Sequence, residues 1–138
     1  MSAQEHAEPM TVQLFGRTVE LDASRIEAQE AEIESQIAEY AVGERREFDL
    51  PVTYPEGFTG EVVTAMAAIP YGETRTYGEL AAQLGTAPVA VGNACGRNPV
   101  PVVVPCHRVV GVDSLGGYSA GDGLALKQRL LELEASEE

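Results

Sequence analysis

Apolar and polar residues alternate over residues 11 to 21, and this period of two is typical of β-strands with one buried face. The alternating apolar positions are Val12, Leu14, Val19 and Leu21. Gly16 lies between the two pairs, and glycine adopts the backbone angles of tight turns at low cost. The segment therefore predicts a β-hairpin that turns at Gly16.

The apolar spacing changes to a helical period after the hairpin. Ser24 and Glu27 have the spacing of a capping box, in which each side chain satisfies a free backbone N–H group at the start of a helix. The apolar stripe ends near Gly43 and consists of Ile26, Ile33, Ile37 and Tyr40. We expect one amphipathic helix here, packed against the hairpin.

Charged residues and prolines between Arg45 and Gly57 indicate a linker. We therefore place a domain boundary near residue 50. Residues 1–50 form a short N-terminal α/β unit, and residues 51–138 form a second domain whose first helix runs from about Thr59 to Ala68.

Two short helices separated by a glycine follow in the second domain. Thr76 and Glu79 form a capping box for a helix that ends at Gly85, and Pro88 opens another that runs to about Gly96. This is the spacing of a helix-turn-helix motif. Many helix pairs share that spacing without touching DNA, so the pattern alone leaves open both DNA binding and simple helix packing.

Residues 100–104, Val-Pro-Val-Val-Val, favour a buried strand because valine is β-branched. Pro101 places this strand at a sheet edge. The strand leads directly to Cys106. Four glycines between positions 116 and 123 then predict a loop whose backbone can approach a ligand closely.

The last predicted helix, Leu124 to Glu134, has a carboxylate on its apolar half. Glu134 lies in the middle of the half that carries the leucines, with Lys127 nearby. Two structures are compatible with this pattern. Either Glu134 points into the core and has a polar partner, or the last turn frays and Glu134 lies in water.

Cys95 and Cys106 are the only cysteines, and a reducing compartment keeps both as thiols. A lone cysteine beside an apolar strand is most often inert core. Cys106, His107 and Glu134 together, however, supply a nucleophile, a base and an orienting group. Adjacent residues on an extended chain point in opposite directions, so we expect a water molecule between Cys106 and His107.

Other uses of these residue types fit less well. A thiol protease needs a histidine far from its cysteine in sequence, and His6 is the sole candidate. Cys95, Cys106 and His107 match no common zinc-ligand spacing, and no glycine-rich phosphate motif is present. We therefore expect neither a metal nor a cofactor.

The formal net charge of −13 argues at first against nucleic acid as a partner. The charge is uneven, however, because residues 1–50 have a net charge of −8 and residues 71–110 a net charge of +1. Only one of the nine basic residues is a lysine, Lys127. This composition predicts a halophilic protein, and in molar salt a Debye length of ~3 Å screens repulsion from DNA.

The sequence also indicates where the protein resides. Its first residues are polar and acidic, and no run approaches the ~20 apolar residues that cross a bilayer. We expect a cytoplasmic monomer with no membrane contact.

Two motifs resemble those of one known family. Asn98-Pro99-Val100-Pro101 and Pro105-Cys106-His107-Arg108-Val109 are similar to the active-site signature of the methylated-DNA-protein-cysteine methyltransferases, also called O6-alkylguanine-DNA alkyltransferases. The similarity runs from about Phe48 to Glu134. The N-terminal part resembles only a short version of the family's variable first domain.

The resemblance implies an α/β (α+β) fold, in which a short hairpin-plus-helix unit precedes a mainly helical, winged helix-turn-helix-like domain. It implies that Cys106 accepts an alkyl group and that His107 and Glu134 activate it through a water. Asn98 is implied to brace the turn before Cys106. The residues implied to bind the substrate base are Tyr77, Pro101, Val109, Tyr118, Ser119 and Lys127.

The same resemblance implies a DNA-binding surface. Its implied residues are Val89, Ala90, Asn93, Ala94, Arg97 and Arg108. Relatives begin the recognition helix with an arginine that enters the base stack, and Val89 occupies that position here. Arg97 does not replace it, because eight helical residues place it two turns away and about 80° round the axis.

The implied function is DNA repair by a single, irreversible alkyl (methyl) transfer from O6-alkylguanine, or from O4-alkylthymine, in double-stranded DNA to Cys106. One alternative is a binding protein of the same fold that recognises alkylated bases and recruits other repair factors. Known proteins of that kind replace the acceptor cysteine, whereas this chain retains it. A third reading, a regulator that senses alkylation, lacks an evident second DNA-binding motif.

Overall fold

The computed structural model describes residues 10–114, 116 and 123–136. The N-terminal segment forms an antiparallel hairpin of β1 (Met10–Leu14) and β2 (Arg17–Leu21), with Val12 opposite Val19. Phe15 and Gly16 both have positive φ, 54° and 76°, which suits a tight hairpin turn. The predicted hairpin is confirmed, and the alternating apolar positions form its buried face.

The first helix, α1 (Glu30–Ala41), begins later than predicted. The expected capping box of Ser24 and Glu27 is wrong. Asp22 instead caps a 3-10 turn, Ala23–Arg25, by accepting from the backbone N–H of Ser24. Ile26 then pairs with Val52 as an isolated β-bridge, so it is buried outside the helix.

The segment predicted as a linker pairs with the N-terminal unit. The backbone N–H of Glu27 donates to the Pro51 carbonyl at 2.9 Å, and that of Thr53 donates to the Arg25 carbonyl at 2.7 Å. Apolar side chains from both sides of residue 50 belong to one hydrophobic core. The domain boundary near residue 50 stays a prediction.

The helical half contains α2 (Gly57–Ala67), β3 (Arg75–Thr76), α3 (Tyr77–Leu84) and α4 (Pro88–Cys95). The capping box of Thr76 and Glu79 is present, with its two hydrogen bonds at 3.0 and 2.8 Å. Gly85 ends α3 in the left-handed conformation. Helices α2, α3 and α4 pack against one another, as the helix-turn-helix spacing predicts.

The predicted strand over residues 100–104 is wrong, because this segment is a tight turn. The Val104 N–H donates to the Val100 carbonyl at 2.9 Å, and Val102 has a φ of 76°. Such a φ is strained for a β-branched residue. Asn98 stabilises the turn, because its amide donates to the Val104 carbonyl and its side-chain oxygen accepts from the Val100 N–H.

The remaining elements are β4 (Val109–Val110), which pairs in parallel with β3, and α5 (Leu124–Ser136). Glu134 is buried in α5, so the core-facing orientation is confirmed over the frayed one. The mixed α/β fold class is confirmed as well. Within the described ranges no helix has the length and apolar character of a membrane span.

Candidate active site

Cys106 begins a 3-10 turn, Cys106–Arg108, directly after Pro105. Its backbone N–H donates to the Val104 carbonyl at 2.8 Å, and its side chain is 7% exposed. The turn packs between α2 and α5. The expected extended conformation of Cys106 and His107 is therefore wrong. The argument that a water lies between them because their side chains point in opposite directions on a strand does not apply.

The two residues after Cys106 both bind Glu134. His107 Nε2 lies 2.8 Å from Glu134 Oε2. The guanidinium of Arg108 donates from Nε to Oε1 at 2.9 Å and from Nη2 to Oε2 at 2.8 Å. Its third nitrogen, Nη1, donates to the Ile69 carbonyl at 2.6 Å. Glu134 thus has the polar partners that a core carboxylate requires.

Tyr40 of α1 completes this cluster, and sequence reasoning missed it as a site residue. Its hydroxyl donates to Glu134 Oε2 at 2.6 Å and lies 3.5 Å from His107 Nε2. The signal was present, because a tyrosine on an otherwise aliphatic stripe needs a partner for its hydroxyl when buried. The sequence could not indicate that the partner lies 94 positions away.

The cluster keeps Glu134 charged and His107 neutral. Burial raises the pKa of Glu134, but hydrogen bonds from His107 and Arg108 outweigh burial and bring that pKa down to about 2. Burial lowers the pKa of His107 below 6.5, against the opposing effect of Glu134. At neutral pH the site therefore holds a carboxylate next to a neutral imidazole.

The contact with Glu134 also fixes the imidazole tautomer. A carboxylate only accepts hydrogen bonds, so Nε2 of neutral His107 carries the proton. The other nitrogen, Nδ1, is then the basic atom. It is buried and accepts no hydrogen bond from the residues that the structure describes. His107 is thus oriented to take a proton at Nδ1.

Three of the residues expected to bind the substrate base, Tyr77, Val109 and Lys127, lie close to one another. Lys127 is fully buried, and its Nζ donates to the Val109 carbonyl at 2.6 Å and lies 5.8 Å from the centre of the Tyr77 ring. Burial lowers the pKa of Lys127, whereas the neighbouring cysteines raise it. A Cβ at Gly116 would lie 2.5 Å from the Tyr77 hydroxyl, so a side chain at position 116 requires the Tyr77 ring to move.

Pro101 is buried in the turn that Asn98 stabilises. Tyr118 and Ser119 lie outside the described residues.

The residues expected at the DNA surface separate into two groups. Val89 is 71% exposed, and Asn93 and Arg97 are exposed as well, with Ala90 half-buried. Arg97 follows the end of α4 rather than continuing it, which corrects the helical geometry assumed for it.

Ala94 and Arg108 form the second group, and both are buried. Ala94 belongs to the hydrophobic core, and Arg108 binds Glu134. As the structure stands, neither presents its side chain to DNA. Their assignment to the DNA surface is corrected accordingly, to core packing for Ala94 and to the charged cluster for Arg108.

Cys95 has a different environment from Cys106. Its sulfur lies 3.4 Å from the Met66 sulfur, between α4 and α2. Burial, followed by the proximity of Cys106, raises the pKa of the Cys95 thiol to about 12. Cys95 therefore stays protonated at neutral pH, and a protonated thiol is a poor nucleophile.

Comparison with known proteins defines first the class and then the family. Residues 57–136 match the family model of the 6-O-methylguanine DNA methyltransferase DNA-binding domain. These residues include the helix pair, Cys106 and Glu134. The chain thus contains a DNA-binding domain of the methyltransferase class.

Two curated relatives, both named methylated-DNA–protein-cysteine methyltransferase, are similar over most of the chain. The Archaeoglobus fulgidus protein is 46% identical over 104 residues, covering 72% of this chain and 71% of its own length. The Methanosarcina acetivorans protein is 44% identical over 127 residues, covering 87% and 80%. The chain belongs to the methylated-DNA–protein-cysteine methyltransferase family.

Solved structures agree with this assignment. Mycobacterium tuberculosis O6-methylguanine methyltransferase has a TM-score of 0.70 at 43% identity, covering 78% of this chain and 67% of that one. A structure of the Mycobacterium tuberculosis OGT in complex with DNA has a TM-score of 0.74 at 37% identity, covering 88% and 87%. The fold of the described residues is thus that of the family's solved members.

Proposed function

We propose that this chain repairs DNA by transferring one alkyl (methyl) group from O6-alkylguanine in double-stranded DNA to Cys106. The observation that carries the proposal is the buried pair of His107 and Glu134 directly beside Cys106, with Nε2 and Oε2 2.8 Å apart. This pair provides a base for the thiol and a fixed charge behind that base. The names of the relatives support methyl transfer to a protein cysteine.

The first step in the proposed reaction is proton transfer. The Cys106 thiol gives its proton, through a water molecule, to Nδ1 of His107. Nε2 keeps its own proton in the hydrogen bond to Glu134. The negative charge of Glu134 then stabilises the imidazolium that forms.

The second step is alkyl transfer. The Cys106 sulfur attacks the alkyl carbon, the bond from that carbon to O6 breaks, and its electron pair stays on the guanine. The guanine anion takes up one proton from water, and the imidazolium of His107 releases the former thiol proton to water, so charge and protons balance. Tyr77 contacts the base while negative charge develops on it. The product is a thioether, which does not return the alkyl group, so each molecule reacts once.

The reactive carbon is inaccessible within a duplex, and flipping the nucleotide out costs a few kcal/mol. We propose that Val89 and Asn93, which are exposed on α4, face the DNA together with Ala90 and Arg97. Val89 is then positioned to enter the base stack as an apolar wedge. The DNA complex of the Mycobacterium tuberculosis relative supports DNA as the partner.

Intact-protein mass spectrometry tests the proposal. Incubation with a duplex that contains one O6-methylguanine, without metal or cofactor, is expected to add one methyl group, and peptide mapping is expected to locate it on Cys106. Cys106→Ser abolishes the gain, and Cys95→Ser, the matched control, retains it. A methyl group on Cys95, or sustained turnover, contradicts the proposal. Duplex binding without any mass gain favours the non-catalytic alternative.

We also propose that the protein works as a monomer in a salty cytoplasm. The support is compositional, since the chain has a net charge of −13 and only one lysine. Size-exclusion chromatography with light scattering in molar potassium chloride measures the oligomeric state, and a dimer contradicts this part of the proposal.

A further inference from the structure

The hydroxyl of Tyr40 brings a residue of the N-terminal half into the charged cluster. Tyr40 lies on α1 and is fully buried, and its ring packs on Phe48 with ring centres 5.4 Å apart. Its hydroxyl donates to Glu134 Oε2 at 2.6 Å. The same oxygen is bound by His107 Nε2 and by Arg108 Nη2, both at 2.8 Å.

The direction of the Tyr40 hydrogen bond follows from these contacts. Tyr40 and His107 are 3.5 Å apart and share Glu134 Oε2 as acceptor. Because the Nε2 proton points to the carboxylate, the hydroxyl proton must point there too. Burial, and then the charge of Glu134, raise the pKa of Tyr40 well above its ordinary value, so the hydroxyl remains a donor.

We propose that Tyr40 is a positioning residue for the transfer reaction, whose hydroxyl holds Glu134 in place and limits the negative charge that reaches His107. This inference rests on the proposed function, in which neutral His107 accepts the Cys106 proton. A carboxylate that donates less charge stabilises the imidazolium less. Tyr40 thereby keeps His107 in its basic form at lower pH.

Other charged and titratable groups face the same cluster and stay in place when the Tyr40 hydroxyl is removed. Arg108 and Lys127 lower the pKa of His107. Tyr71 packs edge-on against Tyr40, with ring centres 6.1 Å apart. The guanidinium of Arg46 lies 5.2 Å from the centre of the Tyr71 ring. A change caused by Tyr40→Phe is therefore attributable to one hydrogen bond.

Tyr40→Phe in the full chain is the direct test, because it keeps the ring and removes the hydroxyl. Single-turnover transfer is measured against pH, and the His107 imidazole is titrated by NMR, where only His6 gives a second histidine signal. We expect the acid limb of the rate profile and the His107 pKa to rise together by roughly half to one pH unit, the size of one hydrogen bond.

Phe48→Leu is the matched control. It weakens the ring packing of Tyr40 but keeps its hydroxyl, so it is expected to lower the melting temperature and leave the acid limb in place. If Tyr40→Phe behaves like Phe48→Leu, with an unshifted limb, Tyr40 only packs and the proposal is overturned.

Site-specific incorporation of 3-fluorotyrosine at position 40 changes the strength of the hydrogen bond in the opposite direction. It provides a second test if Tyr40→Phe does not fold. Fluorine makes the hydroxyl a stronger donor, so the acid limb is expected to move to lower pH. No movement, or movement to higher pH, overturns the proposal. A wild-type chain that gains no methyl group refutes the proposed function, whereas a wild type that transfers with unshifted variants refutes only the role of Tyr40.

Discussion

At the scale of single residues, the charge state of Glu134 is set by donors from separate parts of the chain. Tyr40 comes from α1, Arg108 and His107 come from the turn after Pro105, and the Gly72 backbone N–H adds a contact at 3.4 Å. Each donor stabilises the carboxylate in a place where burial alone favours the neutral acid. Glu134 is therefore ionised in the folded protein although it is buried, whereas in the unfolded chain the same carboxylate is exposed to water.

This arrangement predicts how stability depends on pH. The pKa of Glu134 falls from 4.5 to about 2 on folding, and that of His107 falls below 6.5, so the unfolded chain binds more protons than the folded one. Stability is expected to decrease as pH drops, first below 6.5 through His107 and then below 4.5 through Glu134. The Glu134 contribution is roughly 3 kcal/mol at neutral pH. Urea unfolding from pH 8 to pH 3 measures it.

Glu134→Gln tests the same arrangement by substitution. It leaves Arg108 buried without its anion, and we expect a loss of roughly 3–5 kcal/mol at neutral pH together with a flatter pH dependence below 4.5. Glu132→Gln, on the exposed side of the same helix, is the control and is expected to change stability by less than about 0.5 kcal/mol. Equal losses in the two variants count against the buried cluster.

At the scale of elements, α4 is a short helix with two unlike sides. Val91 and Ala94 are buried against its neighbours, whereas Val89 in the first turn is 71% exposed. The exposed side chain is short and apolar, so it can wedge into a base stack but cannot hydrogen-bond an orphaned base. We expect Val89 to support base flipping weakly.

Val89→Arg is expected to accelerate transfer from duplex DNA severalfold or more, while transfer from the free O6-alkylguanine base changes little. The free base needs no flipping, so it reports on the pocket alone. Val42→Arg adds the same charge at a site of similar exposure, 68%, and controls for general attraction to DNA. Unchanged rates with both substrates indicate that another residue fills the gap.

The elements also show what the sequence could predict. The hairpin and the Thr76 capping box follow from residues close together in sequence, and both are present. The prediction of a strand at 100–104 was wrong. It rested on the β-branched valines, whereas hydrogen bonds from the Asn98 side chain close the segment into a turn. The predicted start of α1 was wrong because Ile26 pairs with Val52 instead of joining the helix. The local spacing of apolar residues gives no information about such a long-range contact.

The sequence likewise identified some residues of the candidate site and not others. Cys106, His107 and Glu134 were identified from a motif and from one carboxylate on an apolar helix face. Tyr40 was not identified as part of the site, because its hydrogen bond to Glu134 spans 94 positions. Arg108 was assigned to the wrong surface, since nothing in the local pattern shows that a guanidinium is buried against Glu134.

At the scale of the whole molecule, the dominant feature is a net charge of −13 on 138 residues. Within the part of the chain that the structure describes, the ion pairs outside the core lie at the surface, such as Arg45 with Glu39 at 2.8 Å. Surface pairs of this kind contribute little. Mutual repulsion of the carboxylates therefore opposes the compact state in dilute buffer.

Potassium chloride is expected to stabilise this protein. Molar salt shortens the Debye length to ~3 Å and screens the repulsion. The melting temperature should therefore rise from low salt to molar salt, and the transfer rate should be retained or should increase. A melting temperature that is highest in dilute buffer and falls steadily with added salt contradicts the predicted halophilic character of the protein.

The Tyr40 contact has a consequence for how the two halves of this chain can be recombined. The backbone N–H of Asp22 also donates to the Pro99 carbonyl at 2.9 Å, so the N-terminal half touches the segment before Cys106 at a second point. A chimera that joins residues 51–138 to the first domain of another family member inherits the nucleophile but exchanges both contacts. Its working pH range then depends on whether the grafted domain carries a hydroxyl at the Tyr40 position, which makes that position a design criterion for domain exchange.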